Sequence, residues 1–209
     1  MELFLSGFIP LATAHFIALL SPGVDFFILV STSSKKGKLA GVYTAFGISI
    51  ANGIFIAFAL LGIVLIKNNP TILETIKILG VIYIIYISYN LIVSKQRKLF
   101  IDKNIKIKNN ISFLKEFLKG FLSAILNPKN SIFYFTLFSL FSFDNIPFLY
   151  QTIYAIWMFL IVLIWDIFIV FLINHKKNRY FLQKYSNLIE KISGIILFFI
   201  ACIIIFNTL

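Results

Sequence analysis

Ser21-Pro22-Gly23-Val24-Asp25 is the stretch on which the reading of this chain turns. It lies inside residues 3–34, which contain no Lys or Arg and carry Asp25 as their one acid. As a straight helix such a run would measure about 48 Å, against a bilayer hydrocarbon core of about 30 Å. The run therefore tilts or breaks, and Pro10 and Pro22-Gly23 are the places to break it. Proline removes a backbone donor, glycine loosens the turn, and a carboxylate in hydrocarbon marks a functional site by default. A broken helix lining a cavity is the expectation.

Composition agrees with a membrane setting. The 209 residues are 60% hydrophobic and 13% charged, where a soluble domain carries roughly 25% charged residues. The net charge of +11 does not point to nucleic acid, because the basic residues lie between apolar segments, as membrane topology requires. A single cysteine, Cys202, excludes an internal disulfide and a dithiol redox pair. With only His15 and His175 beside it, no metal-ligand spacing is recognisable. Glu2 and the long apolar run that follows do not fit a cleaved signal peptide.

Working outward from the first span, apolar segments follow at 39–66, 71–93, about 111–141, 148–174 and 188–207. The second carries Gly41, Ala45, Gly47 and Ala51 at spacings that let helix backbones approach. It also carries Asn52, an amide that needs a partner on a neighbouring helix or on a substrate. Tyr83, Tyr86 and Tyr89 read as packing or interfacial anchors. A basic loop spans 95–110, and residues 111–119 form an amphipathic approach to the fourth span. That span contains Asn127-Pro128-Lys129-Asn130, a second proline with a second charge.

Of the nineteen Lys and Arg residues, all but Lys67, Lys77 and Lys129 lie in or beside the connections after spans one, three and five. With six spans these connections share one face, which the positive-inside rule makes cytoplasmic. Both termini are then outside. Six spans divide into two halves of three in opposite orientation, about 1–94 and 111–209, with Pro22 and Pro128 in corresponding helices. The expected architecture is a single all-α integral membrane domain over 1–209, built as two inverted three-helix repeats around broken helices.

These residues resemble the LysE/RhtB (lysine exporter) family of bacterial amino-acid exporters. The resemblance covers nearly the whole chain. It rests on Ser21-Pro22-Gly23-Val24-Asp25, the spaced Gly37, Gly41 and Gly47, Lys119-Gly120-Phe121, and Asn127-Pro128-Lys129 followed by Phe133-Tyr134-Phe135. The family usually has a second proline where this chain has Val24. The resemblance implies a secondary transporter in the bacterial cytoplasmic membrane, not an enzyme. It would export amino acids or related small metabolites against protons, without a cofactor. A heavy-metal cation exporter of the same superfamily and a non-transporting membrane scaffold are the alternatives. Membrane lipid, and a second copy of the chain in a homo-oligomer, complete the expected partners.

The candidate site follows from the charges. Asp25 either binds a substrate ammonium or a proton, or pairs with Lys129. Lys129 either neutralises a substrate carboxylate or pairs permanently with Asp25 or Asp166. Helix N-termini freed at Pro22 and Pro128 suit a carboxylate, and Asn127 and Asn130 offer neutral hydrogen bonds or cap the break. Asp166 lies late in the fifth span, where a loop lysine is the favoured partner and coupling the other reading. His15 has the chemistry for proton traffic, with simple packing as the stronger alternative.

Overall fold

Long apolar segments interrupted by proline dictate helices that stop and restart. The computed structural model describes residues 2–66, 69–96, 111–141 and 146–208. Eight helices occur among them: α1 (Glu2–Leu19), α2 (Val24–Lys36), α3 (Lys38–Ile66), α4 (Pro70–Ile92), α5 (Phe113–Ile125), α6 (Pro128–Phe141), α7 (Phe148–Ile173) and α8 (Lys176–Thr208). Five of these, α1, α3, α4, α7 and α8, are long and apolar enough to cross a membrane. The other three have 13 or 14 residues, about 20 Å each and too short to cross alone. In the expected basic loop, residues 97–110 lie outside the described residues, as do Lys67, Asn68 and Asp144.

Two expectations about breaks and lengths change. Pro10 does not break the first helix, and α1 runs through it. Gly7, Leu11 and Ala14 are buried around it, so packing against neighbouring helices holds the turn despite the missing donor. The sixth segment does not begin near 188 but continues a helix from Lys176. No Pro or Gly occurs between Lys176 and Ser193 to stop it. At 33 residues this helix reaches about 50 Å, well beyond the hydrocarbon core.

The side chains are distributed as lipid demands. Phe58, Leu65, Phe199 and Phe206 face outward, whereas Thr44, Ser49, Asn52, Ser88, Ser139, Asp166 and Glu190 are buried. Helix α5 shows the same inversion within four turns. Leu114, Leu118, Leu122 and Leu126 beyond its end are exposed, while Glu116, Gly120 and Ala124 are buried. Glu116 and the small residues therefore turn toward protein and the leucines outward. Some buried hydroxyls bond within their own helices, Thr44 to the Ala40 carbonyl at 2.9 Å and Ser88 to that of Ile84 at 2.7 Å, which satisfies them where water is absent; Ser49 Oγ has no partner among the described residues.

Hydrogen bonds at the helix ends define the course of the chain. Tyr154, near the start of α7, donates to the Phe4 carbonyl at 2.7 Å. Asn174, at the other end of α7, donates to Ser33 Oγ near the end of α2 at 3.2 Å. Helices α1 and α2 in succession thus run alongside α7. Glu116, near the start of α5, is ion-paired with Lys36 at the end of α2. Ile146, just beyond α6, lies against Gly7 in α1. The α5–α6 pair therefore runs opposite to the α1–α2 pair. Ser94, after α4, accepts from Asn187 of α8 through its carbonyl at 2.8 Å.

Helix α3 packs through the middle of the bundle against α5, α6 and α7. One apolar cluster surrounds α6, from Leu11 and Ala14 to Ile84, Leu137 and Phe138. A second joins α2, α3 and α7 through Leu29, Ile48 and Val170.

Candidate functional site

Each of the two short gaps in the helices exposes a helix start. At the first, Leu20 and Ser21 close the last turn of α1, and α2 restarts after Gly23, whose carbonyl accepts from Phe27 at 3.1 Å. Asp25 falls in the first turn of α2, where the helix dipole favours an anion. At the second, α5 ends at Ile125 and Pro128 begins α6. Proline suits the first helical position because its missing N–H has no intrahelical partner there. Asn127 caps this start, its Oδ1 accepting from Lys129 N at 3.1 Å.

The two breaks meet. Asp25 Oδ2 accepts from Asn130 Nδ2 at 2.8 Å, and Oδ1 accepts from the Ser123 hydroxyl at 2.7 Å. Asn127 Nδ2 donates to Asn130 Oδ1 at 3.3 Å, which orients the Asn130 amide toward the acid. Tyr83 of α4 donates to the Lys129 carbonyl at 3.1 Å and so ties the start of α6 to a third element. Both oxygens of Asp25 are engaged by neutral donors from the opposite broken pair.

A cavity of about 100 Å³ opens at this junction, room for several waters. Its lining includes Asp25, Asn52, Asn127, Lys129, Asn130 and Asp166, together with Tyr134 and Trp165. Ser21 and Gly23 contribute from the first break. Asn52 spends its amide hydrogens locally, donating to the Ile48 carbonyl at 2.9 Å. Phe26 and Trp165 also border a second, apolar cavity of about 330 Å³ between the first break, α7 and the first half of α8. Pro22 lines that second cavity.

Asp166 and His15 take different places. Asp166 lines the central cavity with Asp25, and no loop lysine among the described residues forms a salt bridge with it. It is buried, and its Oδ2 has no hydrogen-bond partner among the described residues. The reason is rotational: Asp166 lies one turn from Val162, and both face the breaks. His15 is absent from the cavity lining and fully buried. Its ring packs against those of Phe133, Tyr134 and Trp157, with neither nitrogen hydrogen-bonded among the described residues. Aromatic surroundings of this kind agree with packing, the stronger of the two readings.

Ser123 and Trp165 carry no expected role at the site, and Tyr134 enters the sequence analysis only within the run Phe133-Tyr134-Phe135. Ser123, Asn127, Asn130 and Tyr134 stand at positions i, i+4, i+7 and i+11, a helical stripe that continues across the break. That period was available in the sequence and identifies Ser123. Nothing local singles out Trp165. Among the described residues no group of three or more His, Cys, Asp or Glu side chains comes together.

An all-helical membrane protein in which two interrupted helices and the unbroken α7 bring two acids, amides and a lysine to one cavity has the build of a small-molecule translocator. The sequence model of the LysE type translocator family matches residues 16–208, and the chain belongs to that family. It is 30% identical over 200 residues to the uncharacterized membrane protein YrhP of Bacillus subtilis (strain 168), covering 92% of this chain and 94% of that one. It is 30% identical over 140 residues to a threonine efflux protein of Escherichia coli (strain K12), covering 66% of this chain and 68% of that one. An uncharacterized membrane protein of Haemophilus influenzae is 26% identical over 205 residues, covering 94% and 95%. No solved structure matches the chain.

Proposed function

We propose that this protein exports amino acids or closely related small metabolites across the bacterial cytoplasmic membrane in exchange for protons. The observation that carries the reading is the junction of the two helix breaks, where acids, a lysine and a helix start line one cavity. A zwitterion presents an ammonium and a carboxylate a few ångströms apart. Asp25 and Asp166 form an acidic wall for the first. Lys129 suits the second, and the dipole at the α6 start favours an anion beside it, although Asn127 already takes the Lys129 N–H. Lys129 itself stands at that N-terminus, where the dipole disfavours a cation, and a bound carboxylate offsets both. The threonine efflux protein among the relatives supports an amino-acid cargo.

The antiparallel course of α1–α2 and α5–α6 supports six passes, the first and fourth broken, in two inverted halves about 1–94 and 111–209. Alternating access then amounts to rocking one half against the other around the shared cavity. The basic residues Lys35, Lys36, Lys115 and Lys119 cluster where α2 ends and α5 begins, which supports a cytoplasmic location for that end and both termini outside.

The test is uptake of labelled amino acids into inverted membrane vesicles with and without an imposed pH gradient. Gradient-dependent uptake is expected for wild type, with Asp25→Asn and Lys129→Ala impaired at normal expression. Wild-type rates in both variants would remove the cavity from the transport path.

A further inference from the structure

The two carboxylates of the cavity are not equivalent, and the difference assigns them separate tasks. Asp25 has a donor on each oxygen: Ser123 on one and Asn130 on the other. These donors come from α5 and α6, so the acid clamps the start of α2 to both sides of the second break. Asp166 comes from the unbroken helix α7, and its Oδ2 is buried without a donor among the described residues. A buried carboxyl oxygen without a protein donor is completed by a water in the cavity, by a cation or by its own proton, because leaving it bare and charged is costly. The titratable groups lining the cavity beside it are Asp25 on α2 and Lys129 and Tyr134 on α6; the lining residues of α1, α3 and α4 are neutral. Two acids face one lysine, one negative charge more than a zwitterion needs.

We propose that Asp166 is the exchange point of the site, holding a proton and the substrate ammonium in turn, while Asp25 is a positioning residue that joins the two broken helices. This rests on the reading of the protein as a proton-driven amino-acid exporter. In the proton-loaded site Asp166 is a neutral acid. The substrate arrives with its ammonium already carrying three hydrogens. It takes its place at the carboxylate as the acid gives up its proton, so one proton leaves for each amino acid bound and only an O–H bond is broken. On the opposite face the proton returns and the ammonium leaves. Proton and substrate cannot occupy the oxygen together, which is the condition for exchange instead of leak.

The experiment uses the purified full-length protein in liposomes, supplied with each of the twenty standard amino acids in turn. Two assays are run: accumulation driven by a pH gradient, and counterflow of labelled against unlabelled amino acid without a gradient. Asn at 166 stands in for the neutral, proton-loaded acid: it carries no charge to hold the ammonium and cannot exchange a proton. Asp166→Asn is therefore expected to lose counterflow as well as gradient-driven accumulation, whereas Asp25→Asn is reduced in both but keeps the wild-type fall of counterflow as the pH is lowered. Gradient-driven accumulation or wild-type counterflow by Asp166→Asn overturns the assignment, and so does loss of that pH dependence in Asp25→Asn at a wild-type elution profile. If the wild type moves no amino acid in either assay, the exporter reading itself fails and the assignment falls with it. Should Asp166→Asn not fold, wild-type protein is treated with dicyclohexylcarbodiimide, which modifies carboxylic acids in apolar surroundings. An adduct on Asp166 that the transported amino acid suppresses supports the assignment, and protection of Asp25 instead overturns it.

Discussion

Lys36 at the end of α2 is ion-paired with Glu116 near the start of α5, and the Glu116 side chain is almost wholly buried. Lys119, one turn on, donates to the Thr32 hydroxyl at 2.6 Å. These contacts join the end of α2 to the start of α5. Removing one member of a buried pair strands a charge and costs about 3–5 kcal/mol, whereas replacing both with apolar groups is often neutral. Lys36→Met alone is expected to lower the thermal unfolding midpoint in detergent clearly. Lys36→Met combined with Glu116→Leu should recover most of it. A double variant no more stable than the single ones would show that the pair does not act as a unit.

A second relationship joins α5 to α3. A Cβ on Gly47 would lie 2.0 Å from the Phe117 carbonyl oxygen, and one on Gly120 would lie 2.1 Å from that of Thr44. The backbones approach so closely that neither position has room for a methyl group. Overpacking typically costs about 1–3 kcal/mol, and here the obstacle is main chain, which cannot rotate away. Gly47→Ala and Gly120→Ala should each reduce the yield of monodisperse protein and its unfolding temperature. Gly23→Ala serves as the control, because nothing lies within 4 Å of a Cβ there and its φ is −90°.

Much of this packing was legible beforehand. The Gly47 and Ala51 spacing announces a close crossing, and Pro22 and Pro128 announce the breaks, because small residues and missing donors act locally. The meeting of Asp25 with Asn130 was legible only as a matched pair of motifs. Its hydrogen bonds join residues far apart in sequence, and their geometry is set by how α3 and α4 pack. Asp166 shows the limit most plainly. Counting residues gives its depth along α7 but not its direction, and a rotation of the helix decides between a loop lysine and the cavity. His15 is the reverse case: packing is already the stronger reading of a lone histidine, and its aromatic neighbours agree with it.

Ser123 and Asn130 hold Asp25 from both sides of the second break. If the clamp keeps the two broken pairs in register, removing either donor loosens it without changing the charge of the cavity. A hydrogen bond to a charged group contributes about 1.5–3 kcal/mol. Ser123→Ala and Asn130→Ala are expected to slow transport about tenfold or more, with the pH-gradient dependence retained. Steady-state uptake into vesicles at matched protein levels measures this. Unchanged rates in both variants would remove the clamp from the transport cycle.

Trp165 and Phe26 stand between the polar cavity and the apolar one beside it. The polar side accommodates the charged head of an amino acid, and its volume of about 100 Å³ leaves little space for a large side chain. Trp165→Ala removes most of the partition and joins that space to about 330 Å³ of apolar volume. Burying an apolar side chain gains roughly 25 cal/mol per Å², so an amino acid with a large apolar side chain should benefit most. Competition against labelled substrate is the measurement, with leucine and phenylalanine set beside alanine and threonine. The variant should improve as a binder of the first two by about tenfold relative to wild type, with the smaller pair unchanged or weakened. An equal shift for all four would mean that the two cavities do not communicate through Trp165.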